Sequence, residues 1–305
     1  NVITDDWTEI GLYLPWFPYN GDDFGEFTYE VDVAIDSSYV ARGLGDVSRT
    51  ARGWSWEWRR PTNDIVLAAA EDLRTIALER GGQSVQFHVV TLDDSAATGI
   101  ADDVLGILQL YEAWFGESDL THLTLVESLR DRGGGYARQG LIVFGQLSVV
   151  LAPEHRADYI SYVAHEAAHG WWNRAPAHSW EDWLNESFAE YAALMVIRHQ
   201  LGDRAFTDRL HEKQSAAAGT AAIWDLPRAD VATEPQARAV NLVLYSKGPV
   251  LLDRLADRIG VDRFLEWCRQ LVQREVSSTD MALDLLAQLE GNATSRWFRE
   301  LLHTQ

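Results

Sequence analysis

Lysine is almost absent from this sequence. Of the 26 basic residues in the 305-residue chain, only Lys213 and Lys247 are lysines, so arginine supplies nearly all of the positive charge. Genome composition or adaptation to salt explains this bias better than a particular function does. The 46 acidic residues give a formal net charge of −20 at pH 7. Nucleic acid is therefore not expected as a partner, because phosphate binding requires a basic surface.

Cysteine and long apolar runs are scarce as well. Cys268 is the single cysteine, which excludes an internal disulfide, and its apolar helical context predicts a buried structural thiol. No apolar run is long enough to span a bilayer, and no basic and then apolar leader opens the sequence. Because the first residue is Asn1, we expect a trimmed or processed product. The expectation is a soluble protein, exported after signal removal or otherwise cytoplasmic, of unknown oligomeric state.

The first third of the chain has the patterning of β-strands. Hydrophobic and polar residues alternate along two runs there, and two continuous apolar runs follow later. The strands predicted in this way are 27–35, the segment with Trp54, Trp56 and Trp58, Leu120–Val126 and Gly140–Leu151.

Helical periodicity begins near Ala97, in a helix that Gly116 closes, and it dominates after Pro153. The later helices are predicted near 155–173, 180–200, 235–245, 249–259, 261–274, 279–289 and 294–303. The fold class is therefore α+β, with a β-rich domain over 1–95 and a mostly helical domain over 96–305.

Residues 165–169 read His-Glu-Ala-Ala-His on a predicted helix. Histidines at positions i and i+4 lie one turn apart on one face, so His165 and His169 can converge on one metal ion. Glu166 is offset by one residue, which places its carboxylate beside the ion, where a general base acts on water. A helix with surface histidines is the alternative, and the pentapeptide alone leaves it open.

A second acidic segment follows at a suitable distance. Sixteen residues separate His169 from Glu186, and a catalytic zinc ion takes three protein ligands and leaves one position open. Pro176 breaks the chain between the two segments, so the helix with Glu186 can turn back along the histidine helix. Glu190 lies one turn beyond Glu186. It either orients a ligand histidine or is an ordinary solvent-facing or salt-bridged glutamate.

The segment from His165 to Tyr191, with its Trp-Trp-Asn and Trp-Leu-Asn-Glu sequences, resembles the zinc site of the aminopeptidase N and leukotriene hydrolase family. The sequences around Pro15–Pro18 and Tyr111–Gly116 are similar to the end of that family's β-domain and to the start of its catalytic domain. The resemblance covers nearly the whole chain. It implies a truncated β-domain followed by a thermolysin-like, gluzincin catalytic domain, and metallopeptidase activity on peptide substrates.

The same resemblance implies specific roles for site residues. One zinc ion per chain is expected, held by His165, His169 and Glu186, with Glu166 as general base. Asn185 and Glu190 are expected beside the ligands. The sequence Tyr-Ser-Lys-Gly from Tyr245 matches the family's Tyr-x-Lys-Gly, so the resemblance implies that this phenol stabilises the oxyanion. Taken alone, Tyr245 would be an ordinary half-buried core residue.

Two departures from the family pattern stand out. The family places its third ligand about eighteen residues after the second histidine, and the loop here is shorter by two, which a loop absorbs easily. Where the family has Gly-x-Met-Glu-Asn, this chain has Ala137 at the position of the glutamate that binds the substrate's free amine. The candidate substrate-binding residues are Gly135, Tyr136, Ala137 and Arg138.

The missing carboxylate leaves several possibilities open. Glu127 or an acidic side chain of the β-rich part could replace it in an aminopeptidase. Alternatively, the chain is an endopeptidase-like relative, or a homologue that binds zinc without catalysis. Retention of Glu166 and Tyr245 argues against the last possibility, because a structural zinc ion needs neither. The Gly135–Arg138 segment itself could also be a glycine hairpin with exposed side chains.

Overall fold

The structure is a computed structural model that describes most of the chain. The described residues are 2–11, 16–18, 27–62, 64–118, 121–130, 134–138, 140–147, 151, 153–177, 179–227 and 233–305. Contacts between Cα atoms divide the chain into two compact units. Unit 1 comprises Asn1–Leu105 and Leu120–Ala152, and unit 2 comprises Gly106–Asp119 and Pro153–Gln305.

Unit 1 contains the β-strands of the described residues, arranged in three sheets. The strands are β1 Val2–Ile3, β2 Thr8–Ile10, β3 Phe27–Ala34, β4 Val40–Gly43, β5 Asp46–Thr50, β6 Gly53–Thr62, β7 Leu67–Ala70, β8 Arg74–Arg80, β9 Gln83–Val89, β10 His122–Ser128, β11 Tyr136–Arg138 and β12 Leu141–Gly145. Their orders are β1-β2-β7-β4, β3-β6-β5 and β11-β12-β10-β9-β8. The first two sheets are antiparallel.

The five-stranded sheet combines parallel and antiparallel pairs. β10 runs parallel to β9 and β12, whereas β8 and β11 close the two edges as antiparallel strands. The inner strand β12 is a continuous apolar run in which every residue is buried, a pattern typical of strands next to parallel neighbours. Since β10 and β12 extend the sheet begun by β8 and β9, residues 120–152 belong to unit 1. The domain division at residue 95 stays a prediction.

The predicted strands are found with small shifts of their ends. Phe27–Ala34 is the alternating strand, and its outward positions are exposed. The three tryptophans lie on β6, where Trp56 is buried and is paired with Val31 of β3. The strand predicted at 140–151 ends at Gly145. Residues 148–150 of that prediction lie outside the described part of the chain.

Helices make up the rest of the regular secondary structure in the described residues. They are α1 Asp94–Phe115, α2 Arg156–Ala168, α3 Trp183–Leu201, α4 Asp203–Ala217, α5 Glu234–Leu242, α6 Gly248–Ile259, α7 Val261–Gln273, α8 Thr279–Glu290 and α9 Asn292–Leu302. A π-helix over Val243–Lys247 joins α5 to α6. Short 3₁₀ turns at Pro153–His155 and Trp180–Asp182 precede α2 and α3.

Helix α3 is the centre of unit 2. Its side chains from Trp183 to Ile197 are buried around almost the whole circumference, so the helix has no solvent-facing stripe. The ring of Phe188 lies 5.5 Å from that of Trp183 and 5.6 Å from that of Trp267. The last part of α1 supports α2, because the Tyr111 hydroxyl donates a 2.9 Å hydrogen bond to the carbonyl oxygen of Ala164. Cys268 is buried, as predicted.

The helices differ from the prediction in two places. The helix predicted at 155–173 ends at Ala168, and the chain leaves it in a turn over Gly170. Helix α4 was not predicted, because only Phe206 and Leu210 of its residues are buried and the apolar periodicity is correspondingly weak. In the described part of the chain, no helix combines the length and the hydrophobicity needed to cross a membrane.

Candidate metal centre

The two motif histidines come from the end of α2. His165 lies in the last turn of the helix, and His169 is its C-cap with helical dihedral angles, φ −63° and ψ −8°. Because the backbone still turns as a helix at the C-cap, the two side chains stay on one face. Their ring centroids lie 5.0 Å apart with the planes at 87°, so the rings face one point from two directions.

Glu186, in the first turn of α3, completes the group. Its Oε2 atom lies 3.3 Å from His165 Nε2 and 3.9 Å from His169 Nε2. One ligand atom from each of the three residues lies within 4.8 Å of the other two. Burial alone would raise the pKa of this carboxyl, but the neighbouring His165 and His169 lower it to about 2. The carboxylate is therefore ionised at neutral pH.

The outer nitrogen of each histidine lies close to an oxygen atom. His165 Nδ1 lies 2.7 Å from Glu190 Oε2, and His169 Nδ1 lies 2.9 Å from the carbonyl oxygen of Trp172. Since a carboxylate and a carbonyl can only accept, each Nδ1 carries the proton. Both Nε2 lone pairs then point inward, towards the Glu186 carboxylate.

This arrangement fits a cation. Two nitrogen lone pairs and a carboxylate oxygen that converge on one point repel one another, and a cation at that point removes the repulsion. The Glu186 Oε2 atom is buried and has no hydrogen-bond partner among the described residues, and a buried carboxylate oxygen is costly without a partner. Two imidazoles and one carboxylate are a typical donor set of catalytic zinc, which leaves a fourth position open.

Asn185, predicted beside the ligands, holds the loop between α2 and α3. Its side-chain oxygen accepts a 3.1 Å hydrogen bond from the Ala175 amide, and its nitrogen donates a 2.9 Å bond to the Ala175 carbonyl. The same nitrogen donates to Asp182 at 2.9 Å. Asn185 therefore acts on the loop and not on a histidine, whereas the side chain of Glu190 contacts His165 directly.

Tyr245 lies on the π-helix, a widened turn that is common at functional sites. Its ring stacks on the His165 ring, with centroids 5.4 Å apart and planes at 27°. Burial raises the pKa of the phenol far above its ordinary value, and the nearby charges of Glu186 and Glu166 raise it further. The hydroxyl is therefore a proton-bearing hydrogen-bond donor at any physiological pH. Glu166 itself is buried.

The candidate substrate residues lie in unit 1. β11 is an edge strand that pairs with β12, and Ala137 is paired with Ile142. Arg138 donates a 2.8 Å hydrogen bond to the buried carboxylate of Asp64, and its guanidinium lies 4.9 Å from the Tyr136 ring. Tyr136 is itself buried. Their place relative to the metal centre stays a prediction, as does that of Gly135.

Glu127, considered as a replacement for the missing amine-binding glutamate, has another role. Its Oε2 accepts hydrogen bonds from the backbone amides of Val90, Thr91 and Leu92, at 2.7, 2.9 and 3.3 Å, and Oε1 accepts from the Thr91 hydroxyl. The buried carboxylate is therefore engaged in holding the turn before α1.

Lys213, on α4, is a site residue that the sequence analysis missed. Its ammonium donates to Glu190 Oε1, and it also donates a 2.8 Å hydrogen bond to the carbonyl oxygen of Tyr245. Burial raises the pKa of Glu190, but Lys213 and His165 lower it to about 2. The rarity of lysine in the chain was the available signal, since Lys247 belongs to the π-helix and Lys213 donates a hydrogen bond to it.

Comparison with known proteins now identifies the family. The profile of the peptidase family M1 domain matches residues 106–303, which is more than half of the chain. The chain belongs to peptidase family M1. This confirms the family resemblance seen in the sequence.

Curated relatives in the M1 family match parts of the chain. Human glutamyl aminopeptidase is 24% identical over 300 residues, covering 90% of this chain and 31% of its own length. Mouse aminopeptidase Q is 30% identical over 158 residues, which are 46% of this chain and 27% of its own. Bovine endoplasmic reticulum aminopeptidase 2 is 26% identical over 211 residues, 63% of this chain and 22% of its own. The chain thus spans less than a third of these relatives.

Solved M1 structures share the fold. An M1 zinc metallopeptidase from Deinococcus radiodurans superposes with a TM-score of 0.71 at 18% identity, covering 94% of this chain and 66% of that one. A variant of a two-domain M1 zinc metallopeptidase bound to L-arginine gives a TM-score of 0.73 at 18% identity, covering 95% and 67%. The predicted fold, a β-rich part followed by a helical domain, is confirmed, and the family indicates zinc as the metal.

Proposed function

We propose that this chain is a zinc-dependent peptidase whose metal ligands are His165, His169 and Glu186. The observation that carries the proposal is the convergence of three ligand atoms within 4.8 Å of one another. The outward-facing nitrogens of both histidines are held by Glu190 and by the Trp172 carbonyl, which supports the same assignment. The M1 relatives named as aminopeptidases favour peptide bonds as the substrate class.

The protein side chains have separate tasks in this proposal. Zinc, when bound, polarises a carbonyl group and lowers the pKa of water. Glu166 takes the proton of the attacking water and passes it to the nitrogen of the leaving amine. The protonated phenol of Tyr245 donates a hydrogen bond to the oxygen on which negative charge develops. The ionised Glu186 and its two histidine neighbours hold the ion between these groups.

A separate part of the proposal concerns whether the enzyme needs the free amino terminus of its substrate. Ala137 carries no carboxylate to bind a free amine, and the carboxylate of Glu127 already accepts hydrogen bonds from one turn of the backbone. We therefore propose an aminopeptidase-related enzyme in which the substrate amine contributes little to binding. An endopeptidase-like activity is the second candidate, and the same two observations favour it.

Zinc content and hydrolysis, measured together, test the proposal. We expect one zinc ion per chain in the wild type and in Glu212→Ala, since Glu212 is exposed and its described ion pair is with Arg209. Glu186→Ala should lose the ion and the activity together. Glu166→Gln should keep the ion and lose activity by about 100-fold or more. A wild type that binds zinc but cleaves none of a peptide panel would leave a zinc-binding homologue as the remaining function.

N-terminal acetylation of the substrates separates exopeptidase from endopeptidase character. Comparable kcat/KM values for free and acetylated peptides would support an endopeptidase. Loss of turnover on acetylation would mean that another residue binds the amine, and the activity would then be that of an aminopeptidase.

A further inference from the structure

Helix α4 carries Lys213, whose ammonium contacts Glu190, the residue next to the outer nitrogen of His165. The Lys213 side chain is mostly buried, with 15% of its surface exposed, and that of its ion-pair partner Glu190 is 12% exposed. The pair is therefore shielded from water, where a carboxylate and an ammonium interact far more strongly than at a surface. The other carboxylate oxygen of Glu190, Oε2, lies 2.7 Å from His165 Nδ1.

The second contact of Lys213 is with the backbone that carries the phenol. Its Nζ atom donates a 2.8 Å hydrogen bond to the carbonyl oxygen of Tyr245. In an α-helix this carbonyl would accept from the amide four residues later, but that residue is Pro249, which has no N–H group. The lysine therefore provides this carbonyl with a donor that Pro249 cannot provide.

We infer that Lys213 is a positioning residue: its ammonium joins the carboxylate that orients His165 to the helical turn that carries Tyr245. One side chain therefore fixes two groups that must act on the same atoms, a histidine ligand and the oxyanion donor. The inference rests on the proposed function, in which these two residues have those tasks.

A lysine suits this position better than an arginine. Glu190 Oε1 and the Tyr245 carbonyl belong to different helical segments, and an ammonium directs three protons tetrahedrally from one atom. A planar guanidinium is larger and has its donors in one plane. In a chain that uses arginine for nearly every other cation, this geometry accounts for a lysine at position 213.

The first test is the zinc dissociation constant of the whole chain, measured by competition with a chelator. We expect Lys213→Met to raise this constant about 10- to 100-fold, as the loss of an outer partner of a ligand histidine does. Lys213→Arg should give an intermediate value. Arg209→Met is the matched control, because it removes a cation from the same helix whose partners are Asp158 and Glu212, and it should leave the constant unchanged.

The second test asks whether Lys213 acts through Glu190. In a Glu190→Gln background, Lys213→Met should have little further effect on zinc affinity, because the anion that needs the ammonium is gone. A purely structural lysine would give independent effects in the two backgrounds. If Lys213→Met does not fold, Lys213→Gln serves in its place, since the neutral amide also removes the positive charge that Glu190 pairs with.

Steady-state kinetics complete the experiment. At saturating zinc, kcat should fall in Lys213→Met by more than KM changes, since the phenol acts on the transition state. An unchanged zinc constant in a folded Lys213→Met, or independent effects of the two substitutions, would overturn the inference. Absence of peptide cleavage by the wild type would refute the proposed function alone, because the zinc constants still decide the role of Lys213.

Discussion

Ser187 and Gly248 are in such close contact that no side chain fits at position 248. A β-carbon placed there would lie 1.9 Å from Ser187 Oγ and 2.4 Å from Ser187 Cβ. Ser187 follows the proposed ligand Glu186, and its hydroxyl donates a 2.7 Å hydrogen bond to the Leu244 carbonyl on the π-helix. The glycine of the Tyr-Ser-Lys-Gly sequence therefore permits the close packing of α3 against the segment that carries Tyr245.

Substitution of this glycine tests the contact. Gly248→Ala should destabilise the protein by about 2–3 kcal/mol, because overpacking forces the two helical segments apart. In a Ser187→Gly background the obstructing atoms are gone, so the same substitution should cost much less. Thermal and denaturant unfolding of the four proteins of this cycle measures both values. Equal costs in the two backgrounds would contradict the proposed contact.

The raised pKa of Asp253 is predicted to make the stability of the protein depend on pH. Burial and the charge of Asp257 raise the pKa of its carboxyl from 3.8 to about 6. The folded state therefore binds the proton more tightly than the unfolded chain, and stability falls as pH rises from about 4 to about 6. Since the group is partly exposed, we expect a loss of about 1 kcal/mol after screening by solvent.

Asp253→Asn should remove that part of the pH dependence. The amide still accepts the hydrogen bond that the Tyr191 hydroxyl donates to Asp253 Oδ1 at 3.2 Å. We expect a melting temperature about 2–4 °C above the wild type at pH 7.5, and equal values near pH 4. Asp208→Asn, an exposed aspartate on α4, is the control and should leave the pH profile unchanged. A wild-type profile that is flat between pH 4 and 6 would contradict the raised pKa.

Removal of the buried Lys247 ammonium is predicted to lower the stability of the protein strongly. Its Nζ atom donates to the carbonyl oxygens of Thr220, Ala221 and Thr304, at 3.4, 2.8 and 2.6 Å. Lys247→Met leaves these acceptors without their donor, so we expect a loss of about 3 kcal/mol in unfolding free energy. Arg204→Met removes a highly exposed cation and should cost less than about 0.5 kcal/mol. Equal melting temperatures for the two variants would refute the prediction.

Removal of the metal should lower stability in a way that depends on Glu186. A ligand that binds only the folded state stabilises it by about 2.7 kcal/mol at a free concentration of 100 times its dissociation constant. Chelation should therefore lower the melting temperature of the wild type and of Glu212→Gln, and added zinc should restore both. Glu186→Gln should respond to neither treatment. A chelator effect of equal size in Glu186→Gln would place the ion elsewhere.

Motif spacing translates directly into positions on helices, so the sequence predicted the histidine pair and a nearby acidic residue. The role of Tyr245 was expected only from the family resemblance. The sequence did not predict α4, since that helix buries only Phe206 and Leu210 and lacks a strong apolar period. Lys213 was missed with it. The π-helix was missed because one widened turn leaves no periodic signal. The partners of Arg138 and Glu127 depend on strand pairing between distant segments, which spacing along the chain does not reveal.

The burial of most of α3 has a consequence for how fast a metal ion held by the proposed ligands would exchange. Glu186 and Glu190 both project from this helix, so a displacement of the helix away from the histidines would disturb the packing around Phe188 and Trp267. Release of the ion by movement of α3 would therefore be coupled to opening of the surrounding core of unit 2. Core substitutions remote from the ligands should accordingly speed the loss of zinc while leaving the ligand set intact.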